Sequence, residues 1–261
     1  MLILSVATHD ERMISVYKAS CEKNNCELVL LGYGEKWKGF GWRWKVILKY
    51  LKENNIAENE LIVITDAFDS VVVASSTVIE KKFKEFNSPM VFSCEPLANN
   101  FQWISAYYRR RVFGPDPIIN GGSYMGYAGA IKKFISRIKF KDNTDDQRFL
   151  TSLYKHVHMS IDYNHELFYH HCAWMKPSLR GHIPTTCIIT FPASGYTLEM
   201  LEKLGYNVDD TVMPKETCKE CVQIAIRRVK HYGPFFWRET IVIISLILGL
   251  GTIPLILGLI V

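Results

Sequence analysis

Two aspartates three positions apart, in Thr65-Asp66-Ala67-Phe68-Asp69, follow directly on the apolar run Leu61-Ile62-Val63-Ile64. Such a run reads as a strand covered on both faces. In open α/β sheets, ligands bind outside the carboxyl ends of strands. Two carboxylates placed there repel each other unless a cation sits between them. A hard divalent cation takes carboxylate oxygens together with phosphate oxygens, as when the diphosphate of a sugar nucleotide is held, and it offsets the charge that builds on a leaving diphosphate. The plain alternative is a helix N-cap followed by a surface acid. The spacing also argues against an aspartyl-nucleophile phosphatase, whose two Asp are separated by one residue.

Four further groups could take part in chemistry. Thr144-Asp145-Asp146-Gln147 starts a helix. A cap needs one such acid, and the second could orient sugar hydroxyls or assist proton transfer. Asn120-Gly121-Gly122-Ser123 pairs two glycines that let backbone approach a ligand closely, or forms a turn or bulge. Phe92-Ser93-Cys94-Glu95 puts Glu95 at another strand end, as a cleft acid or a loop acid. Trp37–Trp44 is rich in aromatics and glycine, and Lys45 follows it at a helix start, where phosphate contact is favoured. The aromatics serve the core or pack on a base or sugar ring.

The elements that would position these residues alternate between short β-rich runs and helical patterns, which argues for an α/β layered domain. Strands are expected at 2–7, 27–31, 61–65, 90–94, 118–125 and 186–191. Helices are expected at about 12–23, 42–52, 76–86, 129–138, 145–156 and 198–204, with a last one over 216–230. The chain has 261 residues, 48% hydrophobic and 22% charged, with a net charge of +5. This excludes disorder, a disulfide-dense scaffold and a polytopic membrane protein. The mild charge and the lone basic run Arg109-Arg110-Arg111 do not make a nucleic-acid interface. Seven Cys is an odd count, with one CxxC pair at Cys218 and Cys221, which fits a reducing compartment slightly better than an oxidising one.

The tail is uncharged from Ile241 to Val261 and as a helix would span roughly 30 Å, the thickness of a bilayer core. Arg227, Arg228, Lys230 and Arg238 precede it, so the positive-inside rule puts the folded part on the cytosolic side. Met1–Thr8 lacks a basic n-region and a cleavage site and reads as a first strand. The expected organisation is a catalytic domain over 1–210, a helical juxtamembrane segment over 211–239 and a transmembrane anchor over 240–261.

Taken in order, Asp66–Asp69, Phe92–Glu95, Ile119–Gly122 with Gly126-Tyr127-Ala128, Asp145-Asp146-Gln147, and Ile161-Asp162 with Leu167-Phe168 resemble one known family. It is the glycosyltransferase domain of the multifunctional procollagen lysyl hydroxylases, with the related collagen glycosyltransferases, stand-alone viral ones included. The resemblance runs over about residues 2–206. It implies a GT-A fold, a Rossmann-like mixed sheet flanked by helices that binds a UDP-sugar through manganese. It also implies retaining transfer of glucose from UDP-glucose to galactosyl-hydroxylysine of collagen or a collagen-like protein, with galactose transfer to hydroxylysine as the near alternative. Residue by residue, Asp66 and Asp69 would hold the metal and Phe68 would stack on uracil. Ala7 and Thr8 would face the base, and Lys45 would reach the diphosphate. Asp145 and Asp146 would line the donor-sugar and acceptor pocket, with Asn120, Gly122 and Glu95 beside them.

Two departures stand out. Where the family has an HGNG-like segment whose His is the third metal ligand, this chain has Pro192-Ala193-Ser194-Gly195. Ser194 and Gly195 then remain at the donor while the imidazole is gone, and metal affinity is expected to be weaker. His182 is the nearest imidazole before that segment. Where the family has Trp after the Glu that matches Glu95, this chain has Pro96-Leu97-Ala98, and Trp103 is the nearest Trp. Hydroxylation is not expected, since 261 residues hold no room for an iron-binding oxygenase domain beside this one. The rival from another class is a non-catalytic, membrane-tethered module that binds sugar nucleotide or collagen. Cellular relatives work in the secretory lumen; a viral enzyme acting on collagen-like proteins in the cytoplasm would reconcile the family with the orientation expected of the tail.

Overall fold

The computed structural model describes residues 1–11, 13–94, 119–138, 141–153, 159–171, 185–191 and 197–206. All of them belong to one compact unit, Met1–Met213. Its strands are β1 (Leu2–Val6), β2 (Glu27–Leu31), β3 (Leu61–Ile64), β4 (Ser70–Val72), β5 (Met90–Cys94), β6 (Ile119–Tyr127), β7 (Ser160–Asp162), β8 (Phe168–His170) and β9 (Ile188–Thr190). Its helices are α1 (Ile14–Lys23), α2 (Phe40–Glu53), α3 (Ser76–Glu85), α4 (Ala128–Arg137), α5 (Asp146–Leu153) and α6 (Thr197–Lys203).

A mixed six-stranded sheet in the order β2-β1-β3-β6-β5-β7 forms the centre. β1 runs parallel to β2 and to β3, while β6 runs antiparallel to both β3 and β5. Both faces are covered. One carries Leu4, Ile62, Ile64, Phe92 and Tyr124 with Trp44, Ile47 and Leu51 of α2. The other carries Ile3, Val63, Val91 and Met125 with Tyr17 of α1 and Ile79 and Phe83 of α3. Burial on both sides explains why β3 reads as an unbroken apolar run rather than an alternating one.

A small second sheet, β4-β9-β8, adjoins the connection that follows β3. Three of its strands and of the central sheet's, β4, β7 and β8, have three residues each and were not expected from sequence. Periodicity needs a longer run to declare itself. The six expected helices and six expected strands in the described residues are present, with ends shifted by a few residues. The expected helix over 216–230 and the apolar stretch 241–261 lie outside the described residues. Among the described residues, no helix is long and apolar enough to cross a membrane.

The turn between β7 and β8 depends on one carboxylate. Asp162 is fully buried and accepts from the backbone N–H groups of Glu166 (2.8 Å), Leu167 (2.7 Å) and Phe168 (2.8 Å). This is a structural reason for the Ile161-Asp162…Leu167-Phe168 pattern. Asp162→Ala strips three donors of their acceptor, two of them in buried bonds, and is expected to cost about 3 kcal/mol or more. A fall of about 6–12 °C in Tm should follow, and a fall below about 2 °C in thermal denaturation would remove the carboxylate's structural role.

Candidate active site

The chain's register brings the candidate acids to one sheet edge. Ile64 pairs with Tyr124 in the antiparallel β3–β6 ladder, so continuing two residues sets Asp66 opposite Gly122. β1 and β3 are parallel and end at this edge, which puts Ala7, Thr8 and Asp66 together there. Thr65, just before Asp66, is pinned twice. Its hydroxyl bonds the Tyr17 hydroxyl of α1, and its carbonyl accepts from Ser5 Oγ at 2.5 Å. The approach to Asp66 is thereby fixed by the neighbouring strand β1 and by the helix layer of α1.

Gly121 and Gly122 are required by close approach. A Cβ on Gly122 would collide with the Asp66 carboxylate, and one on Gly121 would lie 2.8 Å from that of Asp146. The Asn120 side-chain carbonyl accepts from the Gly122 N–H at 2.7 Å and shapes the same turn of backbone. The glycine pair is therefore a cradle for two carboxylates, neither of which would fit beside a side chain.

A cation stands between those carboxylates, and the sequence reading missed it. Arg43 of α2 is 3% exposed. Its Nη1 donates to Asp66, and its Nη2 donates to Asp146 at 2.6 Å and to the Gly121 carbonyl at 2.5 Å. Asp146, 4% exposed, also accepts from Trp44 Nε1 at 2.9 Å. Burial opposes the charge on Arg43, but Asp66 and Asp146 outweigh it and raise its pKa. For Asp66, burial raises the pKa, Arg43 pulls it down, and the like charge of Asp146 adds to the rise. The net direction is upward, with burial the largest cause, and the Asp66 side chain is still 42% exposed.

Lys45 takes a different place. It lies two residues beyond Arg43, so 200° around the helix, and it is half exposed and bonded to Asp142 at 2.5 Å. The signal that points to Arg43 was present: Trp44, Ile47 and Leu51 mark the buried face of α2, and Arg43 stands one turn before Ile47. A cation on a buried face needs a partner. A stack of Trp44 on Tyr124 (4.5 Å between ring centres) and Tyr124 on Phe92 (5.1 Å) fixes α2 against β6 and β5.

The remaining candidates fall into three places. Ala7 is buried with Ile14 and Ala67, and Phe68 packs partly buried against this cluster. The His9 ring lies 5.4 Å from Phe68 and bonds Thr8 Oγ1 and Glu11, both at 2.8 Å. Asp145 is half-buried at the start of α5. Asp69 precedes β4, and its carbonyl accepts from Phe191 at 2.7 Å, which ties it to the end of β9. Glu95, Ser194, Gly195, Pro192, His182 and Trp103 lie outside the described residues, as do the basic run at 109–111 and Cys218 and Cys221. Cys21, Cys26, Cys94 and Cys187 are all buried.

Asp66, a partly exposed oxygen donor past the end of β3, is of the kind a hard divalent cation takes. Among the described residues, no three of His, Cys, Asp or Glu form a group that could hold a metal.

His171 ends β8 beside Phe191, its ring 5.6 Å from the Phe191 ring and 6.4 Å from Tyr169. It is buried, and its Nδ1 has no partner among the described residues. Burial lowers its pKa, with Glu199 of α6 opposing. The folded state therefore binds fewer protons than the unfolded one in mild acid. Stability is full above about pH 6.5 and is lost as pH falls from there toward the depressed pKa. Between pH 7.5 and 5.5 the protein is expected to lose more stability than His171→Gln does, measured by urea titration at each pH. Parallel losses in both proteins would refute it.

Comparison with known proteins identifies the family. Residues 1–175 match the family described as PLOD GT domain. The chain is 25% identical over 247 residues to the human multifunctional procollagen lysine hydroxylase and glycosyltransferase LH3, covering 85% of this chain and 33% of that protein. It is 26% identical over 187 residues to bovine procollagen-lysine,2-oxoglutarate 5-dioxygenase 1, covering 64% and 25% respectively. The chain thus spans a quarter to a third of the length of these curated relatives. A solved glycosyltransferase involved in glycosylation of the major capsid of PBCV-1 is 15% identical, with a TM-score of 0.45, over 78% of this chain and 98% of that one. With the family pattern matched from β1 through the end of β8, the chain belongs to the PLOD GT domain family and is a glycosyltransferase domain.

Proposed function

We propose that this domain transfers glucose from UDP-glucose to galactosyl-hydroxylysine of a collagen-like acceptor, with retention of configuration and with the help of manganese. The observation that carries the reading is the meeting of Asp66, Gly121, Gly122 and Asp146 around Arg43, at the carboxyl end of β3, inside the stretch that matches the family. Asp66 and Asp69 would hold the metal, which when bound offsets charge on the diphosphate. Phe68, with Ala7 and Thr8, would take the uracil. Asp145 would meet a hydroxyl of the sugar or acceptor, while Asp146 keeps Arg43 and Trp44 in place. Asn120 and Gly122 shape the floor, with Glu95, Ser194 and Gly195 completing the donor and acceptor pocket. In a retaining transfer, the acceptor hydroxyl attacks on the face from which UDP leaves, and the leaving phosphate takes its proton.

The test is UDP release by the full chain with a panel of UDP-sugars. It is run with and without manganese and with and without a galactosyl-hydroxylysine peptide. Manganese-dependent release from UDP-glucose, raised by the peptide, is the expected result. Preference for UDP-galactose with a hydroxylysine peptide would move the assignment to galactose transfer. No release from any donor, with UDP still bound, would make the domain a sugar-nucleotide-binding module. We further propose that residues 240–261 anchor the chain in a membrane with residues 1–210 on the cytosolic side. Protection of the domain from protease in intact membranes would overturn that orientation.

A further inference from the structure

The cation already present among the acids has a consequence for how a metal is taken up. We propose that Arg43 is an internal counter-ion that keeps Asp66 from binding a divalent cation by itself, so that metal enters together with the diphosphate of the donor. The proposal rests on the reading of Asp66 as a metal ligand.

Three observations carry it. First, Arg43 Nη1 occupies one oxygen of Asp66, while the other faces the space left by the missing Gly122 side chain. Asp66 can thus give a metal one oxygen and not a chelating pair. Second, the guanidinium is held from behind by Asp146 and by the Gly121 carbonyl at 3% exposure, so it is a fixed charge and not a mobile surface group. A buried positive charge repels an arriving cation more strongly than an exposed one would. Third, among the described residues no three-ligand group exists to offset that repulsion. A diphosphate brings negative charge and oxygen ligands, and both remedy the shortage. Arg43 is then a positioning residue, acting on the metal through Asp66.

The experiment measures manganese affinity, by electron paramagnetic resonance of free manganese, for the full chain alone and with saturating UDP. The protein is expected to bind manganese at least about tenfold more tightly with UDP than without it. Arg43→Gln is expected to tighten binding of manganese alone about tenfold, the scale on which a nearby unit charge acts on a divalent ion, and so to shrink the effect of UDP. Since removing Arg43 leaves Asp146 buried without its cation, the paired variant Arg43→Gln with Asp146→Asn is measured alongside. It frees the same Asp66 oxygen with no unpaired buried charge, and it too must bind manganese alone more tightly. A folded variant of either kind that binds manganese alone no better than the unaltered protein overturns the inference. Failure of the unaltered protein to bind manganese even with UDP would instead overturn the metal-dependent reading itself, so the two failures are distinguishable.

Discussion

Asp66→Asn is expected to lower manganese-dependent UDP release by about 100-fold or more while leaving the fold intact. The size follows from what one preorganised charge-stabilising group contributes in an active site, about 10²–10³ in turnover. The fold should survive for a geometric reason. Asn keeps an oxygen that can accept from Arg43 Nη1, and its volume matches the space left by Gly122. Arg43 also keeps Asp146 as a full counter-charge. The change therefore removes negative charge from the half-exposed carboxylate and little else. The measurement is initial UDP release across a manganese titration, with Tm recorded on the same samples. Loss of rate that manganese does not restore, at nearly unchanged Tm, is the expected pattern. Release at an undiminished rate would take Asp66 out of the metal-holding role. An equal loss in both rate and Tm would make it a structural acid.

The parts of this architecture that sequence reading reached and missed differ in a physical way. β3 and the acids after it were legible because a strand covered on both faces must be continuously apolar, and Asp66 breaks that pattern at once. The glycine pair was legible as a site of close approach, but not what approaches it. That the Asp66 carboxylate fills the vacant Cβ position of Gly122 depends on the β3–β6 register, which pairs residues about sixty positions apart, and that Asp146 fills the one at Gly121 depends on the packing of α5 against β6. Arg43 was passed over for Lys45, although only one of them shares the buried side of α2 with Ile47. The preference for a lysine after glycines outweighed helical phase, and phase was the better guide to burial. Asp162 was noticed as part of a pattern, while its three backbone acceptor bonds needed coordinates. Two strands of the small sheet, β4 and β8, escaped because three residues carry too little alternation to read, yet this sheet is what ties Asp69 to Phe191 and brings His171 beside it.

Asp146→Ala is expected to be the most destabilising single change in the site, at about 3–5 kcal/mol, and to weaken activity through stability and geometry together. The range is that for breaking a buried ion pair by removing one partner. Three consequences coincide. Arg43 keeps its charge but loses the one counter-ion among the described residues that is itself buried. Trp44 Nε1, inside the core, loses its acceptor. The ring stack of Trp44 on Tyr124 and Phe92 then loses the polar tether that holds its outer member. At about 2–4 °C per kcal/mol for a domain of this size, Tm should fall by about 6–20 °C. Asp146→Asn retains an oxygen for Trp44 and should cost less. The neighbouring Asp145→Ala, at a half-buried position, should change Tm by no more than about 2 °C. The coupling gives a sharper check than any single value. If Asp146 acts by neutralising Arg43, then Arg43→Gln combined with Asp146→Asn must be more stable than the sum of the two single losses predicts, by about 1 kcal/mol or more. Additive losses would mean that the two side chains serve the fold separately. The site would then be three independent contacts, and replacing Asp146 would no longer be expected to move Arg43 or, through it, Asp66.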